Sequence, residues 1–139
     1  MSDYLPLLLR AQVREIYAGR CAYCQAVEAL SVVPFEMDHI VPVSAGGSDE
    51  LDNLCLACPT CNRYKAARQI APDPESSRVV ALYHPRQNSW TDHFAWNADG
   101  TTVVGKTPTG RATIEALRMN RPHLQQLRRL WRRLNIEGA

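Results

Sequence analysis

The stretch Glu36-Met37-Asp38-His39-Ile40-Val41-Pro42 lies between two cysteine pairs, Cys21-Ala22-Tyr23-Cys24 and Cys58-Pro59-Thr60-Cys61. That bracketing decides how the chain is read. A Cys-x-x-Cys turn points both thiols at one ion, and two such turns close the tetrahedral sulfur shell of structural zinc. A closed shell keeps no position for substrate, so this zinc is expected to hold the fold and do no chemistry. The competing account is four unrelated buried thiols. Cys55, the fifth cysteine, reads as a small buried residue on a short strand, with an alternative knuckle to Cys58 as the other reading. An odd count in close pairs is unlike a secreted disulfide framework. With no signal-like segment at the start, the expected location is the cytoplasm.

The 33 residues between Cys24 and Cys58 exceed what a minimal zinc ribbon uses. Short polar side chains gather in and just after them: Asp38, His39, Asn53 and Asn62. Asp38 and Asn62 carry oxygens suited to a hard cation such as Mg²⁺. His39 is a natural general base near neutral pH. Arg63, Lys65 and Arg68 follow on a helix and are candidates for phosphate contact. A base, a cation and positioning charges are together sufficient for phosphodiester hydrolysis. In an ideal strand Asp38 and His39 face opposite ways, so serving one site requires a strand end or distortion near Pro42. Glu36 reads as a surface strand residue in preference to an extra acid near the metal.

In order, Cys21-x-x-Cys24, Asp38-His39-Ile40-x-Pro42, Gly46-Gly47, Asn53-Leu54, Cys58-x-x-Cys61, Asn62 and Lys65 resemble the HNH endonucleases of the four-cysteine, zinc-stapled type. The resemblance covers about residues 20–66. It implies a ββα-metal (His-Me finger) core that holds one catalytic divalent cation, Mg²⁺ or Mn²⁺, besides the structural Zn²⁺. It places Asp38 and Asn62 on the cation, His39 on the attacking water and Asn53 as the brace that orients the histidine. Asn62 stands where relatives often carry His. The implied products bear 5′-phosphate and 3′-hydroxyl ends. The implied partner is DNA, double-stranded, cut by one chain or by a homodimer.

Outward from this core, the 139 residues are 45% hydrophobic and 22% charged, a globular composition. A single α+β domain over 1–139 is expected, with the core at 20–66 and an extension at 75–139. No apolar run approaches the ~20 residues of a membrane span. The net charge of +2 hides an asymmetry. Residues 1–75 carry 10 acids and 6 bases, formally −4, and residues 76–139 carry 4 acids and 10 bases, formally +6.

Periodicity predicts an N-terminal helix over 7–18, stopped by Gly19. Strands are expected at 32–41 and 54–57, and a helix at 61–70. A turn and an extended stretch fill 75–90. Asn97-Ala-Asp-Gly100 is a turn sequence inside a β-hairpin over 93–104, and helices are expected at 111–119 and 122–134. The run from His84-Pro-Arg-Gln to Leu117-x-Met-Asn120-Arg resembles a segment that follows the core in small bacterial HNH proteins, with no defined role. His84, His93 and His123 read as structural or exposed. Residues 111–134 hold seven Arg and one Glu. Arg128, Arg129, Arg132 and Arg133 fall off the apolar stripe and are expected to face solvent or DNA phosphate. Two other classes compete with the nuclease: a non-catalytic zinc-containing nucleic-acid-binding module, and a partner-binding protein.

Overall fold

The computed structural model describes residues 5–135. Strand β1 (Glu36–His39) pairs antiparallel with β2 (Leu54–Ala57), setting Asp38 opposite Cys55 and His39 opposite Leu54. Every residue of β2 is buried, so its run Leu-Cys-Leu-Ala is apolar on both faces. Helix α2 (Pro59–Lys65) follows at once. Cys58 caps it, its Sγ accepting from the Cys61 N–H at 3.4 Å. Pro59 fills the first turn, where no N–H is needed. The result is a ββα unit within an α+β fold. The four cysteines cluster against it as a site compatible with structural zinc, with ligand atoms all within 4.8 Å of one another.

Helix α1 (Leu7–Ile16) packs on β2 through Val13, which is fully buried. Arg14 anchors it from outside, donating Nε to Glu28 at 3.0 Å while Glu28 accepts from the Phe35 N–H at 2.8 Å. That chain of hydrogen bonds fixes α1 against the entry to β1.

The remaining elements build onto the ββα unit and its four-cysteine cluster. Strands β3 (Ile70–Pro72) and β4 (Val79–Ala81) form one hairpin, and β5 (Phe94–Trp96) and β6 (Val103–Gly105) another. The one-turn helix α3 (Trp90–His93) precedes β5; α4 (Pro108–Leu117) and α5 (Pro122–Arg133) close the fold. Trp90 packs its ring 5.0 Å from Phe94 and 5.4 Å from Trp96. One buried apolar cluster joins Val13, the zinc cysteines and Leu56 to Phe94, Leu117 and Trp131. The C-terminal elements therefore enlarge a core that the ββα unit alone leaves small. Among the described residues no helix is long and apolar enough to cross a membrane.

Three expectations need correction. Strand β1 is four residues and not ten: Val32 and Val33 are exposed, and Pro34 brings no N–H to a ladder. Helix α2 starts at Pro59 and ends at Lys65, not Ile70. Ala66 takes φ 51°, and Arg68 folds back to donate to the Tyr64 carbonyl at 2.7 Å and the Ala116 carbonyl at 2.9 Å. The expected turn and extended stretch at 75–90 hold only the second half of a hairpin. Its first strand begins at Ile70, inside the span expected to be helical.

Candidate active site

The site is built on the end of β1. His39 is the last residue of that strand, and the alternation that sends Asp38 and His39 to opposite faces still holds there, His39 meeting Asp49 and Asp38 meeting Tyr23 and Lys65. The His39 imidazole is nearly buried, and its Nε2 lies 2.7 Å from Oδ1 of Asp49. A carboxylate accepts and does not donate, so Nε2 carries the proton and Nδ1 is the acceptor nitrogen. Asp49 belongs to the polar loop after Gly46-Gly47. Its only sequence signal is an acid ten residues past a histidine, which spacing alone does not single out.

Asn53 closes that loop. Its Oδ1 accepts from the Val41 N–H at 2.9 Å, and its Nδ2 donates to the carbonyls of Val41 at 3.0 Å and Ser48 at 2.9 Å. Gly47 is required by this closure: a Cβ there would sit 1.8 Å from the Val41 carbonyl oxygen. The brace holds the chain just beyond His39 and brings Asp49 to the ring.

Asp38 points the other way, into the protein. Its Oδ2 accepts from the Tyr23 hydroxyl at 2.7 Å, and Lys65 Nζ lies 3.2 Å from its carboxylate. Burial raises the Asp38 pKa, and the Lys65 charge and the Tyr23 hydrogen bond work against that rise. Lys65 Nζ also donates to the His39 carbonyl at 3.2 Å. Lys65 is only 2% exposed. The expectation that it meets a DNA phosphate is therefore corrected: its ammonium is used inside, because the Asp38 carboxylate buried beside it demands a counter-charge. Cys55, opposite Asp38, adds a weak Sγ interaction with the Asp38 carboxylate at 3.6 Å. It stands apart from the four zinc thiols.

A cleft of about 690 Å³ gathers Arg10, Glu36, Asp38, His39 and Asn62 along its walls. Asn62 donates Nδ2 to Glu36 Oε1 at 2.7 Å, which leaves its own Oδ1 for another partner. Glu36 thus belongs to the cleft, and the preference for a plain surface residue is corrected. Glu36 and Asn62 bring to the cleft oxygens of the hard kind that Mg²⁺ or Mn²⁺ takes, whereas the Asp38 carboxylate, expected as the first ligand, is committed to Tyr23 and Lys65. Among the described residues, no other Cys, His, Asp or Glu side chains gather as closely as the four zinc cysteines.

The four-cysteine cluster is buried. Cys24 and Cys58 bring their sulfurs to 3.8 Å. Hydrogen bonds from Cys21, Cys24 and Cys61 push the Cys58 thiol far below the ordinary thiol range, while burial pushes Cys21 up. Arg121 lays Nη2 3.4 Å from Cys58 Sγ and Nη1 3.7 Å from Cys61 Sγ. Burial lowers the Arg121 pKa, but the neighbouring sulfurs outweigh it and raise it overall. The sequence singled out neither Arg121 nor this role.

Residues 21–68 match the family model of the HNH endonuclease. No curated protein matches the chain. The HNH match spans both knuckles, β1, β2 and α2. Of the side chains expected to touch DNA, Arg63 and Arg68 on or just after α2 are exposed, as are Arg129, Arg132 and Arg133 on α5. Arg128 is not. It is fully buried, donating to the carbonyls of Thr101 at 2.9 Å and Met119 at 2.7 Å and to Asn120 Oδ1 at 3.0 Å. Its guanidinium also lies 5.0 Å from the Trp96 ring centroid. Burial lowers its pKa to about 10. The expectation that Arg128 faces DNA is corrected: it satisfies carbonyls that the α4–α5 turn and the β5–β6 hairpin leave unpaired.

Proposed function

We propose that the protein is a divalent-metal-dependent endonuclease that hydrolyses phosphodiester bonds of double-stranded DNA. The observation that carries this reading is His39, held through Nε2 by Asp49 at 2.7 Å on a cleft shared with Asp38, Glu36 and Asn62. With Nε2 occupied, Nδ1 takes a proton from the attacking water. Asp49 stabilises the imidazolium that forms and fixes the tautomer that makes Nδ1 the base. Asn53 keeps the loop from drifting, and Lys65 holds both Asp38 and the His39 carbonyl. Glu36 and Asn62 are the residues on the cleft that would hold Mg²⁺ or Mn²⁺, and Asp38 would join them only by exchanging its bonds to Lys65 and Tyr23 for the ion. A cation there supplies charge neutralisation at the phosphate and the leaving oxygen.

The test is nicking of supercoiled plasmid by the full chain with Mg²⁺ or Mn²⁺. Removing a general base removes about 10²–10⁴-fold, so His39→Ala is expected to lose at least about 100-fold while keeping zinc and DNA binding. Cleavage by His39→Ala at the wild-type rate would overturn the reading. Nicked circles against linear products distinguish one-strand from two-strand cutting.

A further inference from the structure

The cleft beside His39 contains two carboxylates, Glu36 and Asp38, and a phosphodiester entering it is an anion. Lys65 is spent on Asp38 inside the protein. Among the described residues, the one cation lining the cleft is Arg10, contributed by α1 and outside the HNH match. Its Nε is buried, with no hydrogen-bond partner among the described residues. A buried guanidinium N–H left unpaired is costly and rare in a folded protein. An acceptor brought by a ligand would remove that cost.

Arg10 is also well aimed. Arg14 lies four residues on, hence on the same face of α1. It is tied to Glu28 and donates to the Phe35 carbonyl at 3.4 Å. That tie fixes the rotation of α1 against the start of β1 and so presents Arg10 to the same cleft. A guanidinium presents a planar fork that matches two non-bridging phosphate oxygens.

We propose that Arg10 is a catalytic residue that binds the scissile phosphate of the nucleic acid, Nε included, and stabilises the charge that develops on it. This rests on the nuclease reading above. Two measurements separate the two ideas. The first is the ¹⁵N-resolved Nε–H signal of Arg10 in the zinc-loaded full chain, titrated with a short DNA duplex and no added Mg²⁺ or Mn²⁺. It is expected to shift and to exchange more slowly on binding, whether or not the protein cleaves. The second is plasmid nicking by wild type, Arg10→Lys and Arg10→Ala. Loss of one preorganised donor at a reacting oxyanion costs about 100-fold or more in kcat. Arg10→Ala should therefore fall about 100-fold with unchanged zinc content and melting temperature, and Arg10→Lys should recover part of the loss. An Nε–H signal unmoved by DNA overturns the assignment, as does wild-type nicking by Arg10→Ala. A wild-type chain that nicks nothing defeats the nuclease reading, and the Nε–H signal still decides whether Arg10 meets the phosphate.

Discussion

Lys65 Nζ and the Asp38 carboxylate form an ion pair at 3.2 Å, with the two side chains 3% and 4% exposed. Removing one partner of a buried pair leaves the other charge stranded, at a cost of about 3–5 kcal/mol. Lys65→Ala is therefore expected to lose about that much stability in urea unfolding of the zinc-loaded protein. The same change frees the His39 carbonyl, so activity should fall even where the chain remains folded. A urea midpoint equal to wild type would show that the pair is not what holds the end of β1.

The four-cysteine cluster and the ββα core were legible because metal-ligand chemistry forces the cysteine spacing. Two Cys-x-x-Cys turns, Asp38-His39 and Asn62 are local patterns with few physical alternatives. Lys65 and Arg128 were misread for one shared reason. A cation on a helix is normally solvated, and only tertiary structure reveals a buried carboxylate or a set of orphan carbonyls that requires it. Asp49, Arg10 and Arg121 were missed because each reaches its partner across elements, over distances no periodicity encodes. The β3–β4 hairpin was hidden because Ala66 breaks α2 with a positive φ, which a non-glycine residue does not advertise.

Arg121 partners the zinc sulfurs of Cys58 and Cys61. Side chains in that position typically change metal affinity 10–100-fold when removed. Arg121→Ala is expected to weaken zinc retention by about 10-fold or more in a chelator competition, with the four cysteines intact. Because Arg121 begins the α5 segment, zinc removal should also loosen α5, read as faster amide exchange at Leu124 and Leu127.

Asp49 sets the His39 tautomer in this structure. Asp49→Ala should mix the two neutral tautomers, visible as altered long-range ¹H–¹⁵N couplings of the His39 ring. Nicking should fall by about 10-fold, less than for loss of the base itself. Asp49 is exposed, so stability should stay within about 0.5 kcal/mol. An unchanged tautomer pattern in Asp49→Ala would remove Asp49 from the mechanism.

Asp73 joins the turn of the β3–β4 hairpin to α4 by accepting from Arg111 Nε and Nη2, each at 3.0 Å. Those hydrogen bonds, chiefly, hold its carboxyl well below the usual carboxylate range, reinforced by the Ser76 hydroxyl. A depressed folded pKa gives stability that is complete above the unfolded value near ~4 and lost as pH falls through the folded one. Asp73→Asn should thus be less stable than wild type in urea at pH 7. The gap should begin to narrow below about pH 4, where Asp73 protonates in the unfolded chain, and close only at the lower pH where the folded carboxyl also takes up a proton. A gap that persists at low pH would assign the effect to shape and not to charge.

The arginines of α5 divide into two kinds, and salt separates them. Arg129 and Arg133 are exposed, whereas Arg128 pairs with Asn120 and the carbonyls of Thr101 and Met119. On duplex DNA, every phosphate that a protein stops neutralising lowers the slope of log affinity against log salt by about 0.9. If α5 tracks the DNA backbone, Arg129→Ala with Arg133→Ala should reduce that slope by up to about 2 and leave the melting temperature unchanged. Arg128→Ala should act oppositely, because buried carbonyls without a donor cost about 1–3 kcal/mol each. It should unfold the C-terminal elements at lower urea with no change of salt slope in the protein that remains folded. An unaltered slope in the Arg129, Arg133 double variant would place the DNA elsewhere and leave the exposed Arg63 and Arg68 as the side chains to test.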